Sequence, residues 1–248
     1  MLNINNDWEL NVLGIYNFNK PGKLGEYFKH IEEHHVSMEG DIAEFGVFRG
    51  SSILATGLLL KQLGSKKKVY GYDSFSGFPS YHRFDDLREF EQLFKIGQIS
   101  LEHIEAVRKN ISYRQFIIKS RIDVKNISSS GDFSDNSLEL LQEKIKLLEL
   151  ENIVLVQGDF AQTATTKNDR PIMAALVDCD LYDGYKTCLP FIWRNLSRGG
   201  YVFLDEYYSL KFPGAKIATD EFFTDKPSKP QMHKLLPGDF ERWFFRKY

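Results

Sequence analysis

Carboxylates and glycines follow five predicted strands of this sequence, at the point where each strand ends. The first such segment, Glu44-Phe45-Gly46-Val47-Phe48-Arg49-Gly50, leads into a helix at Ser51. The other four are Asp73-Ser74-Phe75, Gly158-Asp159-Phe160, Asp178-Cys179-Asp180 and Asp205-Glu206. Ligands of open α/β sheets bind beyond the carboxyl ends of the strands. Because gathered carboxylates repel one another, a purely structural domain has little reason to collect them on one rim, and we predict a ligand site there.

The first segment has the pattern E-x-G-x-x-x-G. Gly46 and Gly50 permit a tight strand-to-helix turn and a close approach of the backbone to a ligand. The pattern differs from the dinucleotide fingerprint G-x-G-x-x-G, and no Gly-Lys-Ser/Thr follows it as in a phosphate-binding loop. By itself it is equally compatible with an ordinary turn.

Asp73, at the end of the second strand, adds a further signal. A carboxylate at this place accepts the hydroxyls of a ribose in dinucleotide-binding folds, although a short acidic side chain also caps turns. A glycine loop and a ribose-binding acid without a pyrophosphate signature indicate a nucleoside ligand that lacks phosphates. S-adenosylmethionine fits this description, and Asp159 and Phe160 would then lie near its adenine.

Asp178, Asp180, Asp205 and Glu206 form a second group, on two strand ends that we expect to be adjacent. Oxygen ligands without Cys or His suit a hard cation such as Mg²⁺ or Ca²⁺. A cation there would chelate substrate hydroxyls and lower the pKa of one of them. A nearby carboxylate would then take the proton. The alternative to a cation site is that Asp205 and Glu206 only cap the backbone or form local hydrogen bonds.

Strands alternate with helices along most of the chain, which predicts an α/β fold with a mostly parallel sheet, helices on both faces and a C-terminal antiparallel hairpin. Residues 1–40 are predicted to be an N-terminal helical or lid segment, and residues 41–248 one domain with an insertion at about 80–134. The predicted strands are 42–45, 68–72, 115–122, 153–156, 173–177, 201–204 and 243–246, the last paired with 234–236. The predicted helices are 23–38, 51–63, 85–95, 101–108, 137–148, 185–196 and 215–223.

Composition restricts the class of protein. The chain has 248 residues, a formal net charge of −2 and 42% hydrophobic residues, so we expect a globular domain that binds neither nucleic acid nor an acidic membrane. Its two cysteines are too few for a disulfide scaffold. With no signal peptide or long apolar run, we expect a cytoplasmic location. Assembly into a homo-oligomer is an open alternative.

Aromatic residues make up 14% of the chain, and many fall beside the predicted rim, where rings stack on adenine or on a sugar face. Tyr182, Tyr207 and Tyr208 flank the acidic segments and would serve either as a substrate wall or in packing. His82, His103 and His233 are candidate bases, but nothing nearby in the sequence orients them and we expect them at the surface.

Several segments together resemble a known family. Residues 42–50 and Gly71-Tyr72-Asp73-Ser74-Phe75-Ser76-Gly77-Phe78-Pro79 are similar to motifs of the class I S-adenosylmethionine methyltransferases of the macrocin O-methyltransferase (TylF/MycF-like) family. The likeness continues in order through residues 158–160, 177–182 and 199–207, and through Phe212-Pro213-Gly214-Ala215-Lys216. It covers roughly residues 40–80 and 137–224 and implies the Rossmann-like fold of those enzymes.

The resemblance implies a Mg²⁺-assisted O-methyltransferase that uses S-adenosylmethionine and acts on a hydroxyl of a sugar or glycoside. It implies that Asp178 is a metal ligand and the general base, and that Asp205 and Glu206 complete the metal site. The cofactor-binding residues that we predict are Glu44, Gly46, Gly50, Ser51, Asp73, Ser74, Phe75, Asp159 and Phe160.

The chain departs from the family in three places. Glu206 stands where the family often has Asp, Cys179 where Gly is frequent, and residues 97–132 have no obvious counterpart. Two other hypotheses stay open: a methyltransferase for another acceptor (a catechol-like diol, a lipid or an amine), and a non-catalytic module that binds a nucleoside or a sugar.

Overall fold

A seven-stranded sheet lies at the centre of the structure, a computed structural model that describes residue 4 and residues 6–233 and 240–248. The strand order is β3-β2-β1-β4-β5-β7-β6. Strands β1 to β5 are parallel, β7 runs antiparallel to β5, and β6 is antiparallel to β7. The strands are β1 Asp41–Phe45, β2 Val69–Asp73, β3 Ile153–Gln157, β4 Ile172–Val177, β5 Leu196–Leu204, β6 Gln231–Met232 and β7 Trp243–Arg246. The predicted α/β fold with a mostly parallel sheet is confirmed.

Helices cover both faces of the sheet, because successive strand residues point to opposite sides. The helices are α1 Asp7–Leu13, α2 Gly25–His34, α3 Ser51–Gln62, α4 Glu89–Lys95, α5 Leu101–Ile118, α6 Leu138–Leu147, α7 Phe160–Thr163, α8 Tyr182–Asn195 and α9 Pro213–Phe222. Ala174 packs into one core with residues of α2, α3 and α6, and its neighbour Ala175 packs into a second core with residues of α8 and α9. In the described ranges, none of these helices is both long and apolar enough to span a bilayer.

The region predicted as an insertion folds into helices that hold the loop after β5. The ring Nε2 of His103, on α5, lies 2.8 Å from the carbonyl oxygen of Ser209. Asn110 on the same helix donates to the carbonyl of Leu210 over 3.0 Å. Since this loop follows Glu206, the insertion helps to fix one side of the acidic rim.

Asp85 ties the same region to α8. It is fully buried in a short 3-10 turn, and its two carboxylate oxygens accept the backbone N–H groups of Tyr182 and His82, each over 2.8 Å. Tyr182 is the first residue of α8, and the residue before it, Leu181, has no side-chain cap. Asp85 therefore caps α8 from a distant part of the sequence, where a negative charge also suits the helix dipole.

One predicted strand is not formed. The strand predicted at 115–122 is wrong, because α5 runs on to Ile118, and the residue after it, Lys119, has a φ of +54°. Phe116 and Ile117 gave the segment a strand-like composition, but they are exposed on the helix surface. In the N-terminal segment predicted as helical or a lid, the bounds of α1 were not predicted. The segment 234–236, predicted to pair with β7, lies outside the described residues, and β7 pairs with Gln231 and Met232.

Replacing Asp85 by Ala should lower the free energy of unfolding by about 2 kcal/mol, because two buried N–H groups lose their acceptor. Urea denaturation of both proteins measures the difference. Asp86→Ala is the matched control, since Asp86 pairs with Arg88 at the surface and its loss should change stability by less than about 0.5 kcal/mol. Equal losses in the two variants would contradict the capping role.

Candidate functional site

A cavity of about 530 Å³ opens beyond the carboxyl ends of the parallel strands. The cavity lies at β1, which has β2 on one side and β4 on the other. The order of the strands reverses at this point, and open α/β sheets bind their ligands there. The size of the cavity falls within the usual range for small-molecule sites. Of the predicted cofactor residues, those that line it are Gly46, Ser51, Asp73, Ser74, Asp159 and Phe160, and Asp178 lines it as well.

Gly46 is required by the close approach of two strand ends. Its φ is +92°, and a Cβ added to it would overlap the carbonyl group of Asp178. Asp178 in turn donates its backbone N–H to the carbonyl of Phe45 over 2.8 Å. The glycine therefore lets the β4 end lie directly against the first loop, which brings Asp178 to the cavity.

Asp73 organises the first loop. One of its carboxylate oxygens accepts the N–H groups of Val47 and Phe48 at 2.7 and 2.9 Å, and the other accepts that of Phe75 at 2.7 Å. This is the capping role left open above. A carboxylate has about four acceptor positions, so Asp73 keeps capacity for a ligand hydroxyl in the cavity that it lines.

Glu44 contacts the cavity wall through Ser52, which lines the cavity. Glu44 is fully buried and accepts a hydrogen bond from the Ser52 hydroxyl over 2.6 Å. Its other oxygen, Oε2, has no hydrogen-bond partner among the described residues. Burial raises the pKa of Glu44 well above its usual range. Glu44, Gly50 and Phe75 do not line the cavity, so their predicted contact with a cofactor stays a prediction.

Sequence reasoning missed part of the cavity wall. Asp183, Lys186 and Thr187 line the cavity from the first turns of α8, and Phe133 lines it from the insertion. The three α8 residues follow the acidic segment after β4 in the sequence, and this proximity could have indicated that they line the cavity. Phe133 gave none, because only tertiary packing against Phe78, at a ring-centroid distance of 5.0 Å, brings it there.

Three carboxylates meet beside the cavity. Asp178, Asp205 and Glu206 each offer an oxygen, and these atoms lie within 4.8 Å of one another. We call these residues the acidic trio. Glu206 is only 5% exposed.

Tyr185 positions the two members of the trio that follow β5. This residue is fully buried, and its hydroxyl donates to the carbonyl of Val177 over 3.0 Å. The same oxygen accepts the backbone N–H of Glu206 over 3.1 Å. Tyr185 thus links the ends of β4 and β5, which carry Asp178 on one side and Asp205 with Glu206 on the other.

Charge within the trio is unevenly distributed. Burial and the neighbouring Asp205 raise the pKa of Asp178 to about 7. Burial, together with Asp205, also raises the pKa of Glu206. Burial alone would raise the pKa of Asp205 as well, but the ammonium of Lys23 holds it below its usual range. That ammonium donates to Asp205 Oδ2 over 2.6 Å and also pairs with Oδ1.

The trio fits a divalent cation by its chemistry. All three donors are carboxylate oxygens, the ligands that Mg²⁺ and Ca²⁺ prefer. Oε2 of Glu206 is buried and accepts no hydrogen bond from any residue that the structure describes, so it has an unused lone pair at the cluster. Asp180 does not belong to this group: it is buried, has a φ of +58° and lines the cavity instead.

The remaining candidates pack within the protein. His103 is buried against Tyr208 and the Ser209 carbonyl, so its predicted surface position is wrong, and His82 and His233 are half-buried. Tyr182 and Tyr207 donate their hydroxyls to Glu221 and Asp220 of α9, over 2.7 and 2.6 Å. Three aromatic residues from the segments beside the predicted rim pack into the hydrophobic cores instead: Phe45, Tyr72 and Phe212.

Replacing Gly46 by Ala should lower the free energy of unfolding by more than about 1 kcal/mol and displace Asp178, because the Cβ has no room and the φ is positive. Thermal and urea unfolding measure the loss of stability, and titration with a ligand of the cavity detects the displacement of Asp178. Gly25→Ala is the control: Gly25 begins α2 with no atom near its missing Cβ, so Ala there should be neutral or stabilising. If the Gly46→Ala protein is as stable as the wild type, the close approach between Gly46 and the Asp178 backbone is contradicted.

Comparison with known proteins agrees with this geometry. Residues 43–207 match the family model described as a methyltransferase domain. Demethyldecarbamoylnovobiocin O-methyltransferase of Streptomyces niveus is 24% identical over 218 residues, covering 87% of this chain and 70% of that protein. The structure of the O-methyltransferase NovP is 20% identical with a TM-score of 0.64, covering 91% of this chain and 79% of that one.

CalS11, a calicheamicin methyltransferase, is 20% identical with a TM-score of 0.58, covering 96% of this chain and 78% of that one. Its apo structure is described as a TDP-rhamnose 3′-O-methyltransferase. At these identities the structural matches establish the fold, whereas the family model covers the loops that carry the site, from the first glycine loop through Asp205 and Glu206. The chain belongs to the methyltransferase domain family and is a methyltransferase.

Proposed function

We propose that this protein is an S-adenosylmethionine-dependent, Mg²⁺-assisted O-methyltransferase that acts on a hydroxyl of a sugar or glycoside. One observation carries the proposal: Asp178 lines the cavity and also belongs to the acidic trio. A methyl donor in the cavity and a hydroxyl at the trio would therefore meet at one residue.

The cavity suits the proposed donor. Asp73 offers remaining acceptor capacity to the ribose hydroxyls, and Asp159 and Phe160 offer a polar edge and an aromatic face to the adenine. We propose that Glu44, Gly46 and Gly50 lie on the side of the methionine moiety. Glu44 is fully buried there, and its Oε2 has no hydrogen-bond partner among the described residues. No pyrophosphate-binding glycine pattern is present in the first loop, which favours a nucleoside without phosphates.

The proposed reaction is a displacement at the sulfonium methyl carbon. The new bond joins this carbon to the acceptor oxygen, the carbon–sulfur bond breaks, and its electron pair stays on sulfur to give S-adenosylhomocysteine. Asp178 takes the proton that the acceptor hydroxyl loses. Asp178, Asp205 and Glu206 would hold the Mg²⁺, which would supply positive charge beside the forming alkoxide. Much of the rate would come from alignment of donor and acceptor by the cavity walls.

A sugar or glycoside acceptor is supported by the relatives, since the names of two of them refer to novobiocin and to TDP-rhamnose. The resemblance to the macrocin O-methyltransferase family supports the same class of acceptor. An oxygen-binding cation site also favours hydroxyls over amines. Among the alternatives, a catechol-like diol would use the same trio, whereas a lipid or an amine would have less use for it.

We also propose that the N-terminal segment, residues 1–40, covers the site as a lid, with α2 packed in the core as its fixed part. Lys23 supports this role, because the ammonium of this residue reaches across to Asp205 at the site. The N-terminal segment is fixed to the main domain nearby, where the N–H of Tyr16 donates to the carbonyl of Ser51 over 3.0 Å.

S-adenosylmethionine should bind to the wild-type protein in a calorimetric titration with one site per chain. Asp73→Ala should weaken this binding by about tenfold or more, since it removes a ribose acceptor and the capping of the loop. Asp225→Ala is the control, because Asp225 pairs with Lys226 at the surface and neither residue lines the cavity. Absence of binding to the wild-type protein would refute the cofactor assignment.

Asp205→Ala should abolish methyl transfer while keeping the affinity for S-adenosylmethionine, because Asp205 belongs to the trio but not to the cavity wall. The assay follows S-adenosylhomocysteine release across sugars, nucleotide sugars and catechols, with and without EDTA. EDTA should stop the wild-type reaction and added Mg²⁺ should restore it. Full activity in EDTA would refute the metal-assisted step, and a preference for catechols would refute the acceptor class.

A further inference from the structure

The acidic trio is already in contact with a cation that belongs to the chain itself. Lys23 lies between the Pro21-Gly22 turn and α2, and its ammonium donates to Asp205 Oδ2 over 2.6 Å. It also contacts Oδ1 of the same carboxylate. The side chain of Asp205 is only 8% exposed, whereas that of Lys23 is 38% exposed and reaches the site from the solvent side.

Lys23 balances only part of the charge of the trio. In the described ranges, no other lysine or arginine forms an ion pair with Asp178, Asp205 or Glu206. One paired ammonium therefore faces three carboxylates, and Lys211 adds its charge near Asp178 without forming an ion pair with it. Among the described residues, none donates a hydrogen bond to the buried Oε2 of Glu206. A divalent ion offers twice the charge and accepts several oxygen ligands at once, which a single ammonium on Asp205 does not.

The ammonium and a divalent ion compete for Asp205, because both Asp205 oxygens contact Lys23 and a cation ligated there must approach one of them. Two positive charges at one carboxylate also repel each other. A lysine side chain has a flexible four-carbon stem, so it can leave without movement of its backbone. The adjacent backbone is held separately: the N–H of Leu24 donates to the Tyr16 hydroxyl over 3.2 Å and that of Gly25 to the Gly22 carbonyl over 3.0 Å.

We propose that Lys23 is a built-in competitor of the divalent cation: it occupies Asp205 while the metal is absent and is displaced when the metal binds. The inference rests on the proposed cation site and adds a residue from the N-terminal segment to it. Lys23 thus sets the metal affinity of the trio and couples metal binding to release of the contact between this segment and the β5 end.

The test is Mn²⁺ binding to the full chain, followed by electron paramagnetic resonance of the unbound ion and by calorimetry, without acceptor. Lys23→Met keeps the length of the side chain and removes its charge. If Lys23 occupies Asp205 in about nine molecules of ten, this variant should bind Mn²⁺ roughly tenfold more tightly than the wild type. Lys23→Arg keeps the charge and should stay close to the wild type.

Lys20→Met is the matched control, since Lys20 lies in the same segment but pairs with Asp7. It changes the net charge equally and should leave Mn²⁺ affinity unchanged. A second readout is the rate of amine acetylation measured by mass spectrometry: Mg²⁺ should speed labelling of Lys23 and leave that of Lys61, which pairs with Glu149, unchanged.

Equal Mn²⁺ affinity of the wild type, Lys23→Met and Lys20→Met would overturn the competition and leave the cation site standing. Absence of Mn²⁺ binding in all variants would overturn both the competition and the cation site. S-adenosylmethionine titration of the same samples then reports separately whether the methyl-donor site exists. Tighter Mn²⁺ binding by Lys23→Met alone, with metal-dependent labelling of Lys23, would support the inference.

Discussion

The collection of carboxylates at one buried edge of the sheet is the constraint on which the rest of the site depends. Asp178, Asp205 and Glu206 lie within 4.8 Å of one another, with little solvent to screen their repulsion. Such an arrangement is unfavourable for the folded chain unless positive charge compensates for it. The raised pKa values of Asp178 and Glu206, and the Lys23 ammonium on Asp205, are responses to this constraint. A divalent cation would compensate for it more completely.

The fold holds this unfavourable arrangement in place by contacts that do not involve the carboxylates. Gly46 allows the first loop and the β4 end to approach each other, and Tyr185 links the ends of β4 and β5 through its hydroxyl. Asp85 and His103 secure α8 and the loop after β5 from the inserted region. The insertion, which lies between the two stretches that resemble the macrocin O-methyltransferase family, thus supports the site from outside and also contributes Phe133 to the cavity wall.

The sequence was sufficient to predict those parts of the fold and the site that depend on local sequence features. Strand ends, glycine turns and acidic pairs are local features, so the parallel sheet and the gathering of the acidic trio could be predicted. Prediction from the sequence failed where tertiary contacts determine the secondary structure or the partner of a residue. The strand predicted at 115–122 is part of α5, because helical hydrogen bonding continued through apolar residues that happen to be exposed. The partnership of Lys23 with Asp205 joins residues 182 positions apart, and no spacing rule indicates it.

The most direct test of the account is a crystal structure of the protein with S-adenosylhomocysteine and Mn²⁺, with anomalous data collected for the metal. The account predicts the cofactor product in the cavity between Asp73 and Asp178, and an anomalous peak bound by Asp178, Asp205 and Glu206 with Lys23 moved away. Product bound elsewhere, or a saturated crystal with no peak at the trio and Lys23 still on Asp205, would contradict it.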